Sequence, residues 1–280
     1  MFDEPLDRRT ALKLLGAGAG AFSAFGPLQA AGEAVAGGGD WLPNGGADGW
    51  RHTVRMQGST RQEDVRWWYT GRIYAQVGET APQHLFNLEG TEIYWYRELE
   101  DGSFLVSSRT LTFFRDKDTG EMIRRYENPY TGKVVQADAN RLGGRENMRK
   151  SPDGWEIVFG DMGVESSPWQ LEWHRAGDLA WFTSSRFGSF MPQPWLESMT
   201  VFCPLAALQD MSQANLPTHF SSTYLAPFPA WMEMGELPGH VVWHSSGRKL
   251  VGLEGISEEY RRRVDAEYGG VLTANPDSFD

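Results

Sequence analysis

The stretch at 65–77, VRWWYTGRIYAQV, is the longest clean alternation in the chain, and its reading decides the fold. Val65, Trp67, Tyr69, Gly71, Ile73, Ala75 and Val77 share one phase, and Arg66, Trp68, Thr70, Arg72, Tyr74 and Gln76 share the other. A period of two over this length gives a β-strand with one apolar and one polar face, and no helical period fits as well. The polar phase is unusual because its arginines keep company with a Trp and a Tyr. On the outside of a domain such a face is merely solvated. At the mouth of a barrel it becomes a wall for a ligand.

Outward from this strand, short runs of the same kind dominate. HLFNLE at 84–89 reads as a second strand and TEIYWYREL at 91–99 as a third, and Asp101-Gly102 signals a hairpin into a long fourth strand over 103–115. DKDTGE at 116–121 and NPYTGK at 128–133 both end in Thr-Gly-charged and read as hairpin turns. The first resembles half a calcium loop, but Gly120 stands at the fifth place where the sixth is needed. Residues 141–152 are polar and loop-like, and alternation returns at 155–159, 169–173, 179–187, 219–225 and 240–245. Residues 195–211 hold a strand and a short helical turn. PFPAWMEMGELPG at 227–239 is a loop rich in Pro and Met, suited to covering a cavity. SEEYRRRVDAEY at 257–268 is the one good helix, with Ser257 to cap it, Glu258 and Glu259 in its first turn, and Gly269 to end it. The pattern predicts an all-β fold, an antiparallel barrel or strongly bent sandwich of calycin-like type, with one C-terminal helix.

The N-terminus reads differently. Asp7-Arg8-Arg9-Thr10-Ala11-Leu12-Lys13 has twin-arginine spacing, a weakly apolar Gly/Ala-rich run follows, and Ala34-Val35-Ala36 offers an A-x-A cleavage site. Residues 1–36 are therefore expected to be a twin-arginine signal peptide, residues 37–58 a linker or loosely packed lead-in, and residues 59–280 a single β-rich domain. The apolar run is too short to span a bilayer. Export by the twin-arginine machinery would place a folded protein in the periplasm or outside the cell.

The chain has 280 residues and a formal charge of −11, which argues against nucleic acid or an anionic membrane as the main partner. Twelve Trp, nine Tyr and fifteen Phe supply core filler and, in part, stacking surface for an apolar or sugar ligand. Cys203 is the only cysteine, so no internal disulfide forms, and its apolar neighbours suit a buried, inert thiol. No G-x-S-x-G, P-loop, H-E-x-x-H or C-x-x-C motif occurs.

The runs WWYTGRIYA (67–75), HLFNLEG (84–90) and FFRDKDTGEMIRRYENPYTGKVV (113–135), with GHVVWHSSGRKL (239–250) and the closing ANP (274–276), resemble an uncharacterised bacterial family known as the domain of unknown function 1838. The DxxTGE…NPYTGK pair is the most specific part. Members often carry twin-arginine leaders. The resemblance supports a single domain and brings no activity or catalytic residues with it.

Among the histidines, His240 and His244 stand four apart, which on a helix would suit a shared zinc ion. The sequence between them favours a strand, where four residues span about 13 Å, too far for both rings to reach one ion at about 2 Å. A metal would need ligands from other strands, so no residue is assigned to one, and the sequence leaves the cofactor unknown. The leading functional reading is an exported protein that binds a small apolar or aromatic molecule in a β-barrel cavity, with Trp68, Arg72, Asn87, Glu89 and Trp231 as ligand-binding candidates. The enzymatic alternative is a cofactor-independent lyase, isomerase or hydrolase, with Tyr74, His240 and His244 transferring protons and Arg72 binding an oxyanion. A carbohydrate-binding module with exposed Trp platforms is the third reading.

Overall fold

The computed structural model describes residues 41–43, 47–158, 164–169, 171–188, 195–270 and 272–279. The expected signal peptide lies outside the described residues. From Leu42 onward the chain forms one compact unit. It contains helix α1 (Ala47–Gln57), strands β1 (Asp64–Val77), β2 (Gln83–Glu98), β3 (Phe104–Asp116), β4 (Arg125–Glu127), β5 (Val134–Gln136), β6 (Asn140–Lys150), β7 (Gly154–Val158), β8 (Val164–Pro168), β9 (Leu171–Ala176), β10 (Leu179–Gly188) and β11 (Trp195–Pro204). Helix α2 (Leu205–Gln209), strands β12 (His219–Ala226) and β13 (Gly239–Leu250), and helix α3 (Glu258–Tyr268) complete it.

Eleven strands make one antiparallel sheet in the order β8-β7-β6-β3-β2-β1-β13-β12-β11-β10-β9, and β4 and β5 pair separately. The sheet curls into a half-barrel with β1 at its centre. The curl brings the edge strand β8 round to the far side, where a Cβ on Gly188 of β10 would meet the Glu165 carboxylate of β8. Among the described residues no helix is long and apolar enough to cross a membrane.

The inner face of the half-barrel is the odd phase of β1. Trp67, Ile73 and Ala75 are buried there, and Tyr69 packs against the same core. The runs at 84–89 and 91–99 merge into one continuous strand, β2, which ends at Glu98. Gly90 does not interrupt it: a Cβ there would come within 2.4 Å of the Tyr69 ring, so the missing side chain makes room for that ring. Residues 141–152, read as a loop, carry most of strand β6. Its pairing with β3 shifts register between Val106 and Ser108, Gly143 and Glu146 take positive φ, and the Glu146 amide donates to Ser107 Oγ at 2.9 Å. This bulge breaks the alternation that would have announced the strand.

Segments outside the sheet pack against both ends of the half-barrel. Residues 47–57, expected within a linker or loose lead-in, form α1, and Val54 and Met56 are buried to 1% exposure or less. The C-terminal carbonyls of α1, which have no partner inside the helix, are taken up by the barrel wall. Lys249 Nζ donates to Arg55 O and Gly58 O, Thr218 Oγ1 to Met56 O, and Trp67 Nε1 to Gln57 O. Arg55 caps the end of α2, donating to the carbonyls of Ala207, Leu208 and Asp210.

At the other end, the 227–238 loop seats Trp231 against Phe86, Phe114 and Tyr126. The β4–β5 hairpin locks it there through Asn128, whose Nδ2 donates to Met232 O at 2.6 Å. The two Thr-Gly turns are alike, as their sequences require. In each, the glycine has positive φ and its amide donates back to the first residue of the turn.

Helix α3 lies on the outer face of β2 and β3, packing Tyr260 and Val264 against Phe113. Ser257 caps it by accepting from the Tyr260 amide, and Gly269 ends it in the left-handed conformation.

Candidate functional site

Between the two plugs, the inner faces of the strands line a cavity of about 430 Å³ that is partly open to solvent. One part of its wall is aromatic: Trp67 and Tyr69 from β1, Trp195 from β11, Phe220 and Tyr224 from β12, and Trp243 from β13. Leu142 and Val158, both at least 40% exposed, mark where the lining meets solvent. Trp243 links the cavity to the plug, since it lines the cavity and packs against Phe114 of β3, on which Trp231 also rests, ring centroids 5.8 Å apart. Its indole N–H is buried and finds no partner among the described residues.

The rest of the wall is charged. Glu92 of β2 holds the inner phase of its strand, together with Tyr94 and Tyr96. Lys150 ends β6 and is 6% exposed. Its Nζ donates to Tyr96 Oη at 2.8 Å and to Gln57 Oε1 at 3.4 Å, and lies 5.1 Å from the centre of the Tyr94 ring. Arg186 of β10 and Glu197 of β11 are register partners and form an ion pair, and Ser222 Oγ donates to Glu197 Oε1 at 3.1 Å. Tyr69 and Thr112 share a hydrogen bond of 2.7 Å between their hydroxyls.

Low-dielectric surroundings penalise charge, and the groups respond in opposite ways. Burial raises the Glu92 carboxyl pKa, with Glu197 adding to the shift and the Tyr94 hydroxyl, Arg186 and Lys150 opposing it. Burial and then the Arg186 charge lower Lys150 to about 7, against the pull of Glu92 and Glu197. Burial also works against charge on Arg186, but the anionic partners led by Glu197 outweigh it and its pKa rises. The Tyr94 hydroxyl is raised by burial and by Glu92. The cavity therefore holds a fixed ion pair beside a carboxyl group biased to keep its proton and an amine biased to release one. Such a set can orient a polar ligand group and exchange protons with it.

None of the residues singled out from sequence lines this cavity. Arg72, Tyr74, His240 and His244 share one face of the β1–β13 pair, with Arg72 directly opposite His244 and Tyr74 opposite Val242. That face is the outer one, because Trp243 and Ser245 of the alternate phase line the interior. Tyr74 packs beside the His84 ring, His84 shares a 3.0 Å hydrogen bond with Asn87, and His244 Nδ1 lies 3.3 Å from Thr223 Oγ1.

Trp68 and Glu89 also point outward, beneath the N-terminus of α3. Glu89 is 3% exposed and accepts from Trp68 Nε1, from Arg115 Nε and Nη2, and from Ser257 Oγ. Arg115 reaches on to Glu259 of α3. This network docks the helix onto the sheet. Trp231 lies in the plug. Cys203 is fully buried, and burial pushes its thiol up to about 11, as suits an inert side chain.

The sequence does carry a signal for the cavity residues. Glu92 is in phase with Phe86, Leu88, Tyr94 and Tyr96, Arg186 with Ala180 and Phe182, and Glu197 with Trp195, Met199 and Val201. A charged residue on the apolar phase of an alternating strand is costly unless it is paired. It therefore marks a polar interior.

Fold and cavity together define a class: an antiparallel half-barrel, plugged at both ends, with charged groups inside an aromatic wall. The chain belongs to the family described as protein of unknown function DUF1838, whose model matches residues 62–149 and 163–278. No curated protein matches it.

Proposed function

We propose that this chain is an exported protein that binds a small, largely aromatic molecule bearing a polar group, held in the interior cavity. The observation that carries this reading is empty space, about 430 Å³, walled by aromatic rings and buried charges. That volume falls within the roughly 300–1,000 Å³ of small-molecule sites, which combine apolar walls with a few placed polar groups. A core serving stability alone gains nothing from such a void, since unfilled space and buried charge both cost stability. The unpartnered indole N–H of Trp243 offers a donor to the ligand. Export rests on Arg8-Arg9 and the A-x-A site: replacing both arginines with lysine should leave the protein in the cytoplasm, and unchanged periplasmic recovery would refute it.

The binding reading is tested by titrating 2-naphthalenemethanol against intrinsic Trp fluorescence. Saturable quenching is expected, reduced in Trp243→Phe and retained in Trp68→Phe. Quenching that never saturates would overturn it.

A second reading is supported by the opposed shifts of Glu92 and Lys150, which suit an acid and a base for a cofactor-independent proton transfer on the bound molecule. The carbohydrate reading draws on outer aromatic rows such as His174, Trp181 and Phe202.

A further inference from the structure

We infer that the ligand is an aldehyde or ketone with an aromatic body, and that Lys150 holds it covalently and reversibly as an imine. This rests on the binding reading above and names its chemistry. Of the five lysines in the chain, Lys13 lies in the expected leader, and Lys117 and Lys133 are exposed turn residues paired with Asp118 and Glu233. Lys249 is spent on the end of α1, where its Nζ donates to Arg55 O, Gly58 O and Asn215 Oδ1. Lys150 alone among the four described lysines lines the cavity. Its Nζ is held in place by Tyr96 Oη and Gln57 Oε1, which occupy two of its three possible donor positions as an ammonium.

Both shifts already described favour the reaction. An amine near neutrality is nucleophilic, and a carboxyl group that keeps its proton can release a leaving water. The charged and titratable groups around the amine are Glu92, Glu197, Arg186, Lys249 and the Tyr94 and Tyr96 hydroxyls. The Nζ lone pair attacks the carbonyl carbon, the carbonyl π pair moves to oxygen, and proton transfer from nitrogen to that oxygen gives the carbinolamine. Nitrogen then expels the hydroxyl, which takes the Glu92 proton and leaves as water. The iminium N–H proton returns to the Glu92 carboxylate. The net change is carbonyl plus amine to imine plus water, with no oxidant or reductant.

The test uses the full chain, 2-naphthaldehyde and cyanoborohydride at pH 7, read by intact mass and peptide mapping. The reductant fixes the imine as a secondary amine, heavier by the aldehyde less its oxygen. At this pH an amine titrating near 7 is neutral about 10³-fold more often than an ordinary lysine, so Lys150 should be labelled at least about 100-fold faster than Lys117 or Lys133. The adduct should be lost in both Lys150→Met and Lys150→Arg, while slow labelling of the exposed lysines persists. 2-Naphthalenemethanol should compete with the aldehyde. If the alcohol binds saturably but the adduct is absent or spread evenly over the exposed lysines, the imine is overturned and the binding reading stands. If neither compound binds, both fall.

Discussion

Glu89→Ala should destabilise the protein strongly without touching the cavity. The carboxylate is 3% exposed and receives Trp68 Nε1 at 3.0 Å, Arg115 Nε at 3.0 Å and Nη2 at 2.5 Å, and Ser257 Oγ at 3.0 Å. Truncation leaves all of these donors facing a void. Removing one member of a buried ion pair costs about 3–5 kcal/mol, and each stranded neutral donor about 1–3 kcal/mol. Arg115 keeps Glu259 and Gly120 O, which offsets part of the loss. The expected cost is about 3–4 kcal/mol, and Glu89→Gln, which still offers an acceptor, should cost about half as much. Urea unfolding measures the loss. Amide hydrogen exchange should show it concentrated in α3, whose N-terminus the network holds. A loss below about 1 kcal/mol, or unchanged protection of α3, would refute the docking role. Weakened ligand binding with stability intact would return Glu89 to the ligand.

Other outcomes follow from the interior. Lys150 titrates near 7 in the folded chain against 10.5 for the ordinary side chain, so between those pH values the unfolded chain binds more protons and stability rises with pH. The rise is at most on the order of 3–5 kcal/mol, and Lys150→Met should flatten it when unfolding is followed from pH 7 to pH 10; an unchanged slope would contradict burial of the amine as the cause of its shift. Gly90→Ala forces a methyl to within 2.4 Å of the Tyr69 ring, so thermal unfolding should register a loss of about 1–3 kcal/mol. A neutral effect would mean that the ring moves freely.

Much of this fold is written in short-range pattern. The alternation at 65–77, the paired Thr-Gly turns and the cap residues Ser257 and Gly269 all name their structures locally, because period and backbone conformation suffice. Helix α1 hides because its apolar residues, Trp50, Val54 and Met56, lie beside a Gly- and Asp-rich run and find their partners in the strands and in α2. Strand β6 hides behind its bulge, and with it Lys150. The site was harder still. The sequence offered both faces of β1, and the polar one looked functional because it carries Arg72 and Tyr74. Only the curl of the sheet decides which face encloses space, and that depends on how eleven strands pair. Charge on the apolar phase, at Glu92, Arg186 and Glu197, is the local sign of a polar interior.

The most direct measurement fills the cavity. Thr110 lines it from β3, whereas Thr70 of β1 is exposed on the outer face. Calorimetric titration of 2-naphthalenemethanol into Thr110→Trp and Thr70→Trp separates inside from outside with one residue type. A binding cavity predicts one site in the parent chain, affinity reduced at least about tenfold, or 1.4 kcal/mol, in Thr110→Trp, and no change in Thr70→Trp. Equal binding by both variants, or loss only in Thr70→Trp, would contradict the interior site.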